Sequence, residues 1–182
     1  MKRETAIIQL MLTPGVGARS MARLLTRLRA ERYSVEDFVA GPLSELMHEF
    51  GWWKMAAEAM QGAREEAEGL AGTLAEHEVE IITLADERYP RGLAGRLERT
   101  APPVLFVRGD TGLLGRPMVG FAGVREGSEE GLELAKEIAA VLAREGMNIV
   151  SGYAPGIDTA AHLGAVSSGG VTTAVLASGI LH

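Results

Sequence analysis

From residue 117 onward, short apolar runs alternate with glycine-rich turns and helical segments, and this alternation constrains the fold more than any other feature. Three runs have the pattern of strands: MVGFAG, MNIVSG and VTTAVLASG. The segments SEEGLELAKEIAAVLAREG and GIDTAAHLGAVSSGG between them have the pattern of helices. In the first of these, Ser128 is predicted to be the N-cap and Gly146 to end the helix. Apolar strands joined by helical crossovers form a parallel sheet covered by its helices. The sequence therefore predicts an α/β fold with a Rossmann-like parallel sheet.

The preceding residues divide into a helical segment and a connecting segment. Apolar residues spaced by three and four predict about four helices in a small bundle, and Ser34 and Ser44 are predicted to begin short helical turns. Strand patterns follow at VEIITLAD and at residues 104–108, with a proline-containing linker between them. We therefore predict a helical domain at residues 1–75 and an α/β domain at 76–182, of which residues 76–116 form an approach segment.

Composition narrows the function classes. Apolar residues make up 47% of the 182, which is enough for a core, and the absence of cysteine excludes disulfides and cysteine-based zinc sites. The four histidines have no ligand spacing, so neither a metal nor another cofactor is expected. No apolar run of about 18 residues is present, and the basic N-terminus soon meets a proline-glycine turn, so we expect a cytoplasmic protein without a membrane span or signal peptide. A net charge of −6 opposes a wholly basic nucleic-acid binder but allows a local basic site.

The first candidate site is the loop in GFAGVREGSEEG, between the first parallel strand and its helix. A glycine loop at a helix N-terminus presents backbone N–H groups to an anion, and an arginine there can pair with phosphate. The spacing is not G-x-G-x-x-G, which excludes the dinucleotide fingerprint. The alternative is a turn that merely requires glycine. The residues predicted to contact phosphate are Gly123, Val124, Arg125, Gly127 and Ser128.

The second candidate site is SGYAPGIDTAAH, which follows the second parallel strand at the edge where open α/β sheets bind ligands. Ser151, Gly152 and Gly156 are predicted to line the same phosphate site. Asp158 and His162 are four residues apart and share a helical face, so a catalytic pair is one interpretation. No nucleophile or second base accompanies them in the sequence. We therefore predict that Asp158 caps the helix and that His162 packs, with no catalytic residue.

The third candidate site is the turn in LTPGVGARSMARLLTRL, whose Pro-Gly-apolar-Gly pattern is typical of a helix-hairpin-helix. Amides of Gly15 and Gly17 would meet a DNA phosphate there. Arg19 and Arg23 belong to a basic stripe that recurs every four residues along the second helix. These four residues are predicted secondary DNA contacts. The alternative is a solvated helix face behind an ordinary turn.

Taken in chain order, these stretches resemble the DprA/Smf family of DNA-processing proteins. LTPGVGARSMARLL is similar to the family's N-terminal helical domain, and IITLADERYPRGLAGRLERTAPPVLFVRGD is similar to its approach segment. VGFAGVR matches the family's Val-Gly-Ser/Thr-Arg loop. SGYAPGIDTAAH matches the signature Ser-Gly-x-Ala-x-Gly-Ile-Asp-x-x-Ala-His, and GGVTTAVLASGI matches the strand after it.

The resemblance implies an extended Rossmann-like domain that binds single-stranded DNA and is not an enzyme. It implies a role in natural transformation, in which the protein protects incoming strands and passes them to the recombinase RecA, usually as a homodimer. The phosphate contact of the family's loop arginine carries over onto Arg125, and the Gly-Ile-Asp turn shapes the same pocket.

Three features depart from the family pattern. Val124 stands in place of a serine or threonine, which removes a hydroxyl donor, and Pro155 occupies a position that is often basic. The family's sheet also continues beyond the last strand of this chain. We therefore expect either a piece of a longer protein or a short form with another partner. We also expect the apolar edge at residues 171–177 to be exposed and to drive self-association.

Two other function classes remain open at this point. The glycine loop is similar to that of Rossmann-like enzymes or sensors of nucleoside monophosphates, although their Pro-Gly-Gly-x-Gly-Thr-x-x-Glu motif is absent from this sequence. The third class is a protein-interaction scaffold whose α/β unit binds nothing, and the acidic composition favours it.

Overall fold

A computed structural model describes residues 1–42 and 54–181 and divides the chain into two compact units, Met1–Gly109 and Asp110–His182. The helical turn predicted at Ser44 lies outside the described residues. The first strand pair belongs to the first compact unit, so this division falls later than the boundary predicted at residues 75/76. A compact unit need not coincide with a domain defined by its sequence family. The boundary at 75/76 therefore stays a prediction.

Helices form most of the first unit, as the apolar spacing predicts. Ile7 and Leu10 of the first helix are fully buried and lie at the centre of its core. The Ser34 hydroxyl accepts a hydrogen bond from the Asp37 amide at 3.0 Å, which confirms the predicted helix start. The helices are α1 (Arg3–Leu12), α2 (Ala18–Ala30), α3 (Val35–Ala40), α4 (Lys54–Gly62) and α5 (Arg64–Glu76).

Two predicted strands complete the first unit as an antiparallel pair, β1 (Val79–Thr83) and β2 (Val104–Arg108). The segment between them was predicted as a linker, but it contains the short helix α6 (Arg91–Leu97). Pro90 directly precedes this helix. Its fixed φ suits a helix start, where no intrahelical donor is required, so the proline does not prevent a helix here.

A polar network joins the start of α1 to the end of β1. The Arg3 guanidinium pairs with the Asp86 carboxylate, which also accepts hydrogen bonds from the Thr83 amide at 2.7 Å and the Thr83 hydroxyl at 3.0 Å. Burial acts to raise the pKa of Asp86, but the Thr83 hydrogen bonds and the Arg3 charge outweigh it, so the pKa lies below its usual range. The strand pair is thereby anchored to the helices.

The second unit contains the predicted parallel sheet, in the order β3 (Met118–Gly120), β4 (Asn148–Ser151) and β5 (Thr172–Ala174). A 3-10 turn, Thr111–Gly115, precedes β3, and helices α7 (Glu129–Arg144) and α8 (Ile157–Ser167) connect the strands. The strand predicted from VTTAVLASG is shorter than expected, because only three of its residues pair with β4.

Small side chains allow α7 and α8 to pack closely against each other. A buried cluster of four alanines around Ile149 forms the core between the helices and β4. At Gly164 of α8, a Cβ atom would lie 2.1 Å from the Lys136 carbonyl oxygen of α7. The helix bounds also confirm two predicted signals, since the Ser128 hydroxyl accepts from the Gly131 amide and Gly146 follows the last turn of α7 with a φ of 85°.

Candidate functional site

Two loops that follow neighbouring parallel strands interlock at the carboxyl end of the sheet. The Ile157 amide donates a hydrogen bond to the Val124 carbonyl at 3.2 Å. A Cβ atom on Gly156 would lie 2.2 Å from the same carbonyl oxygen, and one on Gly123 would lie 2.5 Å from the Ile157 side chain. The two glycines are therefore required for this close approach, and it brings both predicted stretches together at one site.

The loop at residues 123–128 carries the unpartnered groups of this site. Its backbone N–H groups donate no hydrogen bond to any residue in the described part of the chain. Arg125 is exposed and makes no ion pair with a described residue. Because the loop leads directly into the N-terminus of α7, unpaired amides and the positive end of the helix dipole coincide there. Such an arrangement can accept an anionic oxygen.

Three of the predicted ligand residues make hydrogen bonds within the protein. The Ser151 side chain is buried and donates to the Phe121 carbonyl at 2.8 Å. The Gly152 amide donates to Asp158 Oδ2 at 3.2 Å, and the Ser128 hydroxyl caps α7. These groups shape the 123–128 loop and its neighbour, and their contact with a ligand stays a prediction.

Asp158 binds the loop before its own helix. Its Oδ2 accepts hydrogen bonds from the Gly152 amide at 3.2 Å and the Ala154 amide at 3.4 Å, while the α8 N-terminus has no side-chain cap. The prediction that Asp158 caps the helix is therefore wrong, because its carboxylate accepts from amides of the preceding loop and not from amides of the helix. Asp158 does lie in the first turn of α8. The carboxylate closes the loop back onto the helix instead.

His162 packs, as predicted. Only 7% of the surface of this residue is exposed, and Nδ1 lies 2.6 Å from Thr172 Oγ1. Thr172 Oγ1 donates its own proton to the Ile149 carbonyl at 2.7 Å, so it accepts from the His162 Nδ1–H. Burial lowers the pKa of His162, and the Asp158 charge opposes this shift only in part. The neutral imidazole is thus the form that suits this environment.

Tyr153 is a residue at this site that the sequence analysis did not single out. It lies between Gly152 and Ala154 with a φ of 61°, and 64% of its surface is exposed. Its ring centroid is 5.8 Å from that of His162, at an interplanar angle of 57°. An aromatic residue after a Ser-Gly strand end was visible in the sequence, but its left-handed backbone and exposure were not.

The predicted hairpin turn at residues 13–17 lies in the first unit. Gly15 has a φ of 83°, and α2 begins after Gly17 without a side-chain cap. Arg19 and Arg23 are exposed and pair with no described acidic residue. Helix α2 contains four arginines and no acidic residue, so this stretch is strongly basic within an acidic chain.

Residues 1–42 and 54–181 contain no group of three or more His, Asp or Glu side chains arranged to hold a metal ion. Across the same residues, no helix combines the length and the hydropathy that crossing a bilayer requires. In the second unit, eight acidic residues stand against four basic ones, so Arg125 lies in an acidic surrounding.

A parallel α/β unit with unpaired loop amides at the carboxyl end of its strands belongs to the Rossmann-like class of proteins. Comparison with known proteins specifies this class further. The model of the DNA recombination-mediator protein A family matches residues 80–182. The chain belongs to this family, which confirms the resemblance in the sequence.

Individual relatives match over a similar share of the chain. The DNA processing protein DprA of Streptococcus pneumoniae is 39% identical over 99 residues, which are 54% of this chain and 34% of the relative. DprA of Bacillus subtilis is 32% identical over 108 residues, which are 59% of this chain and 36% of the relative. The chain thus spans about a third of the length of these curated relatives.

A solved structure extends the fold comparison to the whole chain. The X-ray structure of DNA processing protein A from Streptococcus pneumoniae matches with a TM-score of 0.74 at 24% identity, over 100% of this chain and 60% of that chain. At this identity the match shows the fold. It confirms the α/β architecture with an N-terminal helical part.

Proposed function

We propose that this chain binds single-stranded DNA by its phosphates, through the 123–128 loop and Arg125. The observation that carries the proposal is the row of unpartnered backbone amides between β3 and α7. Amides at a helix N-terminus bind phosphate oxygen, and the Arg125 guanidinium can add two parallel hydrogen bonds. Family membership supports nucleic acid as the source of the phosphate.

The acidic surrounding of Arg125 affects the strength of this binding. Glu126 lies within the loop, Glu129 and Glu130 directly follow it in sequence, and all three repel a polyanion. We therefore expect weak binding at physiological salt and a steep gain in affinity at low salt, with no strong sequence preference. Arg19 and Arg23 of α2 and the amides of Gly15 and Gly17 supply a second set of phosphate contacts in this proposal.

The wider role is proposed from the family. The chain takes part in recombination of incoming DNA during transformation, protects the single strand and passes it to the RecA recombinase, without catalysing a reaction. It acts in the cytoplasm as a homo-oligomer. RecA loading is tested by the rate of RecA-dependent ATP hydrolysis on DNA coated with single-strand-binding protein, which should rise when this chain is added.

The decisive experiment is fluorescence anisotropy of labelled poly-dT across a salt series. The native chain should bind with a log–log slope of about −0.7 for each phosphate contact. Arg125→Ala should weaken binding and reduce the magnitude of that slope by one contact. Arg116→Ala is the matched control, because it removes an equal exposed charge just before β3, at the opposite end of the strand.

The outcomes separate the competing function classes. Equal loss of affinity in Arg125→Ala and Arg116→Ala would indicate nonspecific charge attraction and would contradict the proposed site. Displacement of poly-dT by a millimolar deoxynucleoside monophosphate, with tighter binding of the monophosphate than of the strand, would favour the nucleotide-sensor class. No binding of either ligand at low salt would favour the scaffold.

A further inference from the structure

We propose that Tyr153 stacks against an unpaired DNA base, so that this chain reads the base of a nucleotide as well as its phosphate. This inference rests on the proposed function, because it assigns a base contact to the same single strand. It starts from the conformation of Tyr153, a large residue in the left-handed region with most of its ring exposed. Residues of this size rarely adopt that conformation unless the surrounding structure enforces it.

The backbone on both sides of Tyr153 is held in place. The Gly152 and Ala154 amides donate to the same Asp158 oxygen, at 3.2 and 3.4 Å. The Ala154 carbonyl also accepts from the Thr159 hydroxyl at 2.7 Å. These bonds tie the loop to the first turn of α8, and they project the Tyr153 side chain outward from a rigid base.

The ring itself is supported on one side. It lies tilted against His162, whose Nδ1–H is fixed by Thr172. An aromatic ring that is ordered on one side and open on the other loses little conformational freedom when it stacks on a ligand. The contact with His162 therefore prepares the ring for binding.

The position of Tyr153 fits the geometry of a nucleotide. Its loop is interlocked with the 123–128 loop through Gly156 and Val124, so the aromatic residue and the unpartnered amides belong to one end of the sheet. In a single strand, phosphates alternate with unpaired bases, whereas a duplex buries its base faces. Phosphate contact combined with an exposed aromatic ring is the pairing that sequence-tolerant single-strand binders use.

The test compares two strands of equal length and charge with the full chain: oligo-dT and an abasic strand of the same phosphate number. The native chain should bind oligo-dT about tenfold more tightly, which corresponds to the lower part of the range for one stacked base. Tyr153→Phe should keep this preference. Tyr153→Leu should reduce the affinity ratio of oligo-dT over the abasic strand to near unity and leave the salt slope unchanged. Leucine must adopt the same left-handed backbone conformation as tyrosine, but it has no π face.

Each result decides the matter. Equal affinity of the native chain for both strands, or a preference that Tyr153→Leu retains, overturns the stacking proposal while phosphate binding stands. Absence of binding to either strand overturns the proposed function together with it. A second measurement avoids mutation altogether: photo-crosslinking of the native chain to a 5-iododeoxyuridine strand should label Tyr153, and crosslinks that map only to other residues overturn the proposal.

Discussion

Gly156 lies so close to Val124 that a single added carbon would meet the Val124 carbonyl oxygen at 2.2 Å. The φ of Gly156 is 85°, with a ψ of −131°, a combination that only glycine adopts readily. The lack of space for a Cβ atom and the backbone conformation thus both require glycine at position 156. This contact joins the two loops at the carboxyl end of the parallel sheet, and the arrangement of the candidate site depends on it.

Gly156→Ala should separate the loops and weaken both folding and DNA binding. We expect a loss of unfolding free energy of about 2 kcal/mol or more from the clash and the strained backbone together. Gly146→Ala is the matched control, since Gly146 has the same φ of 85° but open space around its Cβ position. Chemical denaturation of both variants measures the difference. Equal losses would show that the contact with Val124 contributes nothing.

Gly164→Ala should destabilise the second unit through the contact between α7 and α8. The new methyl group would lie 2.1 Å from the Lys136 carbonyl oxygen, so the helices must move apart, at a cost of about 1–3 kcal/mol. Gly131→Ala in α7 is the control, because its Cβ would meet only the Ser128 hydroxyl at 3.4 Å and alanine favours the helix. Urea unfolding should show a lower unfolding free energy for Gly164→Ala and a higher one for Gly131→Ala. A stable Gly164→Ala would contradict the close helix packing.

Stability should fall in mildly acidic solution because of His162. Its folded-state pKa lies below the usual value near 6.5, so the unfolded chain binds the proton more readily. The contribution of His162 to the unfolding free energy is complete above pH 6.5. It decreases below that pH and is lost as the pH falls through the folded-state pKa of His162. Unfolding free energies measured from pH 7.5 to 5 should therefore drop more steeply for the native chain than for His162→Gln. Identical pH profiles would show that His162 does not titrate differently in the folded state.

Self-association should occur through the exposed edge at β5. Val175 follows the strand, donates its amide to the Ser151 carbonyl at 2.8 Å, and has 63% of its surface exposed. Light scattering after size exclusion should show a concentration-dependent dimer, which Val175→Lys weakens by placing a charge at the edge. Val166→Lys is the control, since Val166 is 61% exposed but lies on α8. A native chain that remains monomeric at high concentration would contradict the prediction.

The local signals at helix ends were readable from the sequence because they depend on neighbouring residues. Ser34 and Ser128 cap their helices as predicted, and Gly146 follows the end of α7. The prediction of a linker between β1 and β2 was wrong for a similar local reason. Pro90 interrupts a strand but also begins a helix, and the rest of the fold decides between the two.

The sequence by itself determined the order of strands and helices, the parallel arrangement and the two glycine loops, because apolar spacing and glycine positions act over a few residues. Only the tertiary structure decided which polar groups remain without a partner. Asp158 closes the loop at Gly152, and Ser151 is buried against Phe121. The first contact spans six residues and the second spans 30, and both partners are selected by their distance in space rather than by their immediate neighbours in the chain. The tertiary structure also decided the exposure of Tyr153, which lies in the loop that Asp158 closes.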